Sequence, residues 1–170
     1  RMTEYLLDVG HRDIGFVAGP SNVITSQQHV QGYQEAMQNR GLNFDESRIA
    51  YGSFNEEGGD LACRQLLRGD FNLTALCCGN DNMAIGAMHA LDESGLRVPE
   101  EVSLVGIGNS VSGRYARPRL TTYDTFRYEL GVHAVECLLR KSSPDEMIRD
   151  QAHASYLSPQ LIERDSVARR

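Results

Sequence analysis

Short apolar runs alternate along this chain with stretches whose apolar residues recur at helical spacing. The clearest passage runs from Leu73 to Asn109. An apolar run, Leu73 to Cys78, ends at Gly79-Asn80-Asp81. A helical pattern follows, with Ala84, Ala87, Met88 and Leu91 on one face. Gly95 closes it, Pro99 breaks the chain, and a second apolar run, Ser103 to Ile107, ends at Gly108-Asn109. The passage predicts strand, helix and strand in one βαβ unit.

The flanking segments extend the pattern. Residues Arg1 to Gly10 read as the end of a helix, and a chain that opens there is expected to be a piece of something longer. Ile14 to Ala18 is a first strand. A helix from about Ser26 to Arg40 follows, with Val30, Tyr33 and Met37 inward and Gly41 as its stop. Arg48 to Phe54 reads as a second strand. Asn55 caps a helix from Glu56 to Leu67 whose expected buried stripe is Leu61, Cys63, Leu66 and Leu67. Beyond Asn109, Ser110 to Arg119 reads as irregular and Leu120 to Tyr123 as β-prone. Tyr128 to Lys141 is helical, with Leu130, Ala134, Val135, Leu138 and Leu139 apolar. Ser142 to Asp150 reads as a polar loop, Ala154 to Leu157 and Leu161 to Glu163 as short strands, and the residues from Asp165 on as frayed. This alternation predicts an α/β fold, a doubly wound parallel sheet.

In such sheets ligands bind outside the carboxyl ends of the strands. Asn80 and Asp81 fall at that edge. Either can cap the helix that follows, or Asn80 can offer its amide, donor and acceptor together, to a hydroxyl-rich ligand. Phe54 falls at the same edge, as core packing or as a flat wall against a sugar face or a planar base.

Composition narrows the function. The chain has 170 residues, 41% hydrophobic and 24% charged, with a net charge of -6. That is enough for one domain with a real core, and no basic patch is large enough to hold a phosphate backbone. No apolar run is long enough to cross a membrane, and no secretory signal precedes the first strand. Cys63, Cys77, Cys78 and Cys137 form no zinc-type pair and read as free thiols in a reducing compartment. The five histidines share no ligand spacing, so no metal and no cofactor is expected. GxGxxG, Walker and GxSxG patterns are absent. Asp124 and Glu129 form a conceivable acid/base pair, but no nucleophile stands beside them, so enzyme activity is not expected.

Several blocks in order carry a family likeness. They are Gly10 to Gly15, Gly32-Tyr33, Thr74-Ala75 before Asn80 to Ala87, Val98 to Gly106, Arg117 to Thr122 and Pro159 to Val167. On these the chain resembles the effector-binding core of the lactose/galactose repressor (LacI/GalR) family of bacterial transcription regulators, nearest to its galactose and purine repressors. The resemblance implies a periplasmic-binding-protein-like core of two lobes behind a DNA-binding headpiece, with an effector between the lobes. It implies that the headpiece and most of the first lobe are missing here. Residues 1–11 would lead from the first lobe, 12–125 form the C-terminal lobe, 126–158 return to the first lobe, and 159–170 come back to the second. It further implies a cytoplasmic homodimer that senses a small molecule, a sugar or a nucleoside or purine. Operator DNA would be met only through the missing headpiece. A periplasmic-type sugar-binding protein of a transport system shares the fold and is the alternative. The effector positions that carry over are Thr25, His29, Phe54, Asn80, Asp81, Gly108 and Phe126. His29 stands where the family commonly has an arginine, Val23 where some members have another, and Gly108 where an aspartate is usual. Each lost charge-assisted contact is worth roughly 1.5–3 kcal/mol, which counts against a family-typical sugar.

Overall fold

The computed structural model describes residues 1–69, 72–141 and 157–170. Helix α1 (Met2–Asp8) leads into strand β1 (Ile14–Ala18), α2 (Ile24–Asn39), β2 (Ile49–Tyr51) and α3 (Glu56–Leu67). The βαβ unit follows as β3 (Ala75–Cys78), α4 (Asp81–Glu93) and β4 (Ser103–Ile107). Then come a short α5 (Val111–Tyr115), β5 (Thr121–Asp124), α6 (Arg127–Lys141) and β6 (Gln160–Ile162). The sheet order is β2-β1-β3-β4-β5-β6. Strands β1 to β5 run parallel and β6 pairs antiparallel with β5. The doubly wound sheet expected from the sequence is therefore present, with strand order reversing between β1 and β3.

Both faces of the sheet are covered, which is why its inner strands are apolar without alternation. All residues of β1 and β3 are buried. Val17, Leu76, Cys78 and Leu104 pack under α3 and α4 with Cys63, Leu66, Met83 and Leu91. On the other face Ile14, Phe16, Cys77 and Val105 meet α1 and α2 through Leu6, Leu7, Tyr33 and Met37. Cys77 and Cys78 thus point into opposite layers, as neighbours in a strand must. Burial raises both thiols above their ordinary range.

Helices α3 and α4 touch backbone to backbone. A Cβ on Gly59 would stand 2.2 Å from the Met83 carbonyl oxygen, and one on Gly86 only 1.8 Å from that of Glu56. This crossing rotates α3 so that Gly59, Ala62, Cys63 and Leu66 face inward. Leu61, expected in the stripe, is exposed instead. Its neighbour Ala62 fits the close approach and a leucine does not.

Other expectations change as well. The second strand stops at Tyr51, so Phe54 lies in the loop beyond it. The segment 110–119 contains α5, capped by the Ser110 hydroxyl, which accepts from the Gly113 N–H at 3.0 Å. The polar loop Ser142 to Asp150 and most of the strand expected at Ala154 to Leu157 lie outside the described residues. Helix α6 leaves Tyr128, Leu130, Val135, Leu138 and Leu139 exposed.

The end of the chain is clasped rather than frayed. The Ser166 hydroxyl donates to the Leu104 carbonyl (2.6 Å) and accepts the Thr121 N–H (2.8 Å). The Leu104 N–H returns to the Ser166 carbonyl at 2.7 Å. Arg119 holds Asp165 through two bonds of 2.7 and 3.1 Å. The tail thus bonds β4 at Leu104, ahead of the start of β5.

His11 ties this tail to the strands. Its Nε2–H donates to the Ala168 carbonyl and its Nδ1 accepts from the Thr74 hydroxyl, both at 3.0 Å. Burial, with Arg170 nearby, outweighs the Ala168 bond and lowers its pKa. A lowered histidine contributes full stability above its unfolded pKa of about 6.5 and loses it as the pH falls below. His29, also lowered by burial, adds in the same direction. His89, raised by its bond to Asp60, works the other way, so the check is a difference: in urea unfolding, His11→Asn will gain stability relative to the unaltered protein as the pH falls from 7.5 to 5.

Candidate functional site

The carboxyl ends of β1 to β5 form one edge, and the loops there carry an unusual backbone. Among the described residues, three non-glycine residues have positive φ: Phe54 (60°), Asn109 (48°) and Phe126 (52°). They follow β2, β4 and β5 in turn. Strain of this kind collects where surrounding structure over-determines a functional loop.

Thr25 is exposed on the first turn of α2. That helix starts from Val23, which offers no side-chain cap, so its first N–H groups stay open toward the edge. His29 lies one turn on, half-buried, and its Nδ1 has no hydrogen-bond partner. Between them Ser26 is fully buried, and its hydroxyl is likewise without a partner. Burial lowers the His29 pKa, which keeps the imidazole neutral. Ser26 carried no signal in the sequence, since a serine near a helix start normally reads as a cap.

Phe54 folds back over the end of β1. A Cβ on Gly19 would stand 2.2 Å from the Phe54 ring and 2.5 Å from the Ser26 hydroxyl. The loop is held by Asn80, whose Nδ2 donates to the Phe54 carbonyl at 2.9 Å. The other end of the same amide caps α4, with Oδ1 accepting the Met83 N–H at 2.8 Å. Both ends of the Asn80 side chain are thus engaged within the protein.

Asp81 is 2% exposed. Its Oδ1 accepts from the Thr122 hydroxyl and its Oδ2 from the Ser110 N–H, both at 2.6 Å. The carboxylate joins the start of α4 to β5 and to α5. Gly108 follows β4 with φ +129°, a backbone that only glycine adopts without strain. Its N–H donates to the Tyr123 carbonyl (2.8 Å) and its carbonyl accepts Arg127 Nη2 (2.7 Å). Phe126, half-buried, donates its N–H to Asp124 Oδ1 at 2.8 Å. The other oxygen of Asp124 accepts Asn109 Nδ2 at 2.8 Å, and Asn109 Oδ1 accepts Arg164 Nη2 at 2.5 Å. This relay from Arg164 through Asn109 to Asp124 ties β6 and the loop after β4 to the exit of β5. Nothing in local spacing connects those residues.

The edge thus gathers aromatic surface from Phe54 and Phe126, open donors at Thr25, an unpartnered imidazole, and the Gly108 backbone under Arg127. Among the described residues it shows no nucleophile hydrogen-bonded to a base. Residues 3–167 match the periplasmic binding protein-like domain. The chain belongs to that family. Within it, the likeness to LacI/GalR regulators read from the sequence blocks holds. The HTH-type transcriptional repressor PurR of Escherichia coli O1:K1 is 40% identical over 166 residues, which is 96% of this chain and 47% of that protein. A LacI-family sugar-binding transcriptional regulator from Escherichia coli, solved in complex with phosphate, superposes with a TM-score of 0.88 at 30% identity. It matches 99% of this chain and 59% of its own. The lac repressor dimer, bound to operator and the anti-inducer ONPF, superposes with a TM-score of 0.87 at 26% identity, over 98% of this chain and 56% of its own. The chain therefore spans about half the length of the curated relatives it matches. These relatives are transcriptional regulators, so a transport-system binding protein is not favoured.

Removing the Asp81 carboxylate would leave the Ser110 N–H and the Thr122 hydroxyl buried without an acceptor. Asp81→Ala is expected to lose about 3 kcal/mol of stability in urea unfolding, given roughly 1.5–3 kcal/mol for each bond to a charged group. Asp81→Asn, which keeps one acceptor, will lose less.

Proposed function

We propose that this chain is the effector-sensing and dimerising core of a bacterial DNA-binding transcription regulator, a cytoplasmic repressor of sugar or nucleoside metabolism. The observation that carries the reading is 40% identity to the purine repressor across 96% of the chain. The geometry of the carboxyl edge is consistent with it. Thr25 and His29 supply polar contacts to the effector, Phe54 and Phe126 flank its faces, and Gly108 lies beneath it. Asn80 and Asp81 hold the loops on which those contacts stand. Operator DNA is contacted by a headpiece outside this chain, and effector binding shifts the affinity of that headpiece.

The test is ligand-dependent melting of the protein encoded by the complete gene, against sugars, nucleosides and purines. A specific effector at a hundredfold excess over its Kd adds about 2.7 kcal/mol, a rise of several degrees, and Phe54→Ala removes the rise. A protein that binds operator but answers no compound in the panel overturns the sensing role.

The exposed apolar residues of α6 support an assembled state, because a contiguous patch of this kind ordinarily marks an interaction surface. Light scattering at micromolar concentration is expected to return the mass of a dimer. A monomeric mass would remove the dimerising role.

A further inference from the structure

We infer that the ligand of the carboxyl edge carries an oxyanion, a carboxylate or a phosphate, received by the guanidinium of Arg127. The inference rests on the reading of that edge as the effector site.

The argument is a count of open donors and acceptors. A guanidinium has five N–H donors and no acceptor. Arg127 is exposed and commits one donor to the Gly108 carbonyl at 2.7 Å. Among the described residues it forms no ion pair. The carboxylates close to it in the fold are engaged elsewhere. Asp124 accepts the Phe126 N–H and the Asn109 amide, and Asp81 is buried between Thr122 and Ser110. Glu129 lies in the first turn of the same helix without bridging to Arg127.

Gly108 keeps this guanidinium uncovered. A Cβ there would stand 3.8 Å from the guanidinium carbon, so any side chain would spread over it. The φ of +129° reserves the position for glycine. Arg127 is also the first residue of a helix 15 residues long. The unpaired N–H groups of its first turn add positive potential at the same place. A planar fork of N–H donors, left open beside a helix start and a bare backbone, matches the paired oxygens of a carboxylate or phosphate. The neutral imidazole of His29 adds no competing cation.

Calorimetric titration of the protein encoded by the complete gene tests this at constant ionic strength. The probes are D-gluconate and glucose 6-phosphate, with glucose and hypoxanthine as neutral comparators. At least one acid is expected to bind tenfold or more tightly than glucose, and which acid prevails tells carboxylate from phosphate. Arg127→Met is expected to weaken that acid at least tenfold and leave glucose unchanged, while Arg127→Lys restores part of the loss. Arg127 is exposed, so both variants fold, which circular dichroism checks. Acids that bind no better than glucose, or equally well to Arg127→Met, overturn the inference. If a neutral comparator binds, loses its affinity in Phe54→Ala, and the acids stay inert, the oxyanion is excluded while the effector edge stands. Silence from every probe overturns both.

Discussion

One buried carboxylate sets the geometry of the ligand edge. Asp81 begins α4, and from there it reaches the Thr122 hydroxyl in β5 and the Ser110 N–H at the start of α5. The start of α4 is thereby fixed to α5 and β5, 29 and 41 residues further along the chain. The contact also dictates a neighbour. A Cβ on Gly106 would stand 2.4 Å from Asp81 Oδ1, so β4 must be bare there for the carboxylate to fit. A carboxylate so deeply buried persists only because its hydrogen bonds replace the water it lost. The positions of Asn109, Arg127 and the β5 exit all follow from a β4–β5 spacing that this group helps to hold.

Much of the fold was legible because it is locally encoded. The apolar runs of β1 and β4 end where their pattern does, and Asn55 and Asn80 cap the helices they precede. The failures share a cause. Helical spacing and hydrophobicity point Leu61 inward, whereas Gly59 against the Met83 backbone and Gly86 against the Glu56 backbone fix the rotation of α3. The tail reads as frayed because chain ends commonly are, yet Ser166 and Asp165 have partners in Leu104 and Arg119, 62 and 46 residues away. No window along the chain can see such a pairing. The second strand, expected to run to Phe54, stops at Tyr51, and Phe54 sits beyond it at φ 60° with its carbonyl bonded to the Asn80 amide.

The site was legible in part for the same reason. The cap reading of Asn80 holds, since its acceptor caps α4, while its donor binds the Phe54 carbonyl across the loop, a partner 26 residues away. Arg127 and the relay through Asn109 stayed invisible, since an arginine opening an amphipathic helix reads as a solvated charge. Their meaning comes from what lies across the edge, in the bare Gly108 and the strained loops beside it.

The clasp formed by the tail has a consequence for how the chain is made. Synthesis delivers the strands in order, β1 through β5, before Ser166 leaves the ribosome. Until then the amino half of β4 has no neighbour on its β5 side, and the Leu104 N–H and carbonyl stay unpaired. A nascent chain halted short of Ser166 therefore presents a raw sheet margin flanked by apolar surface. Such a margin invites strand addition from another chain, so a holding chaperone would find its work there, and only until Ser166 arrives.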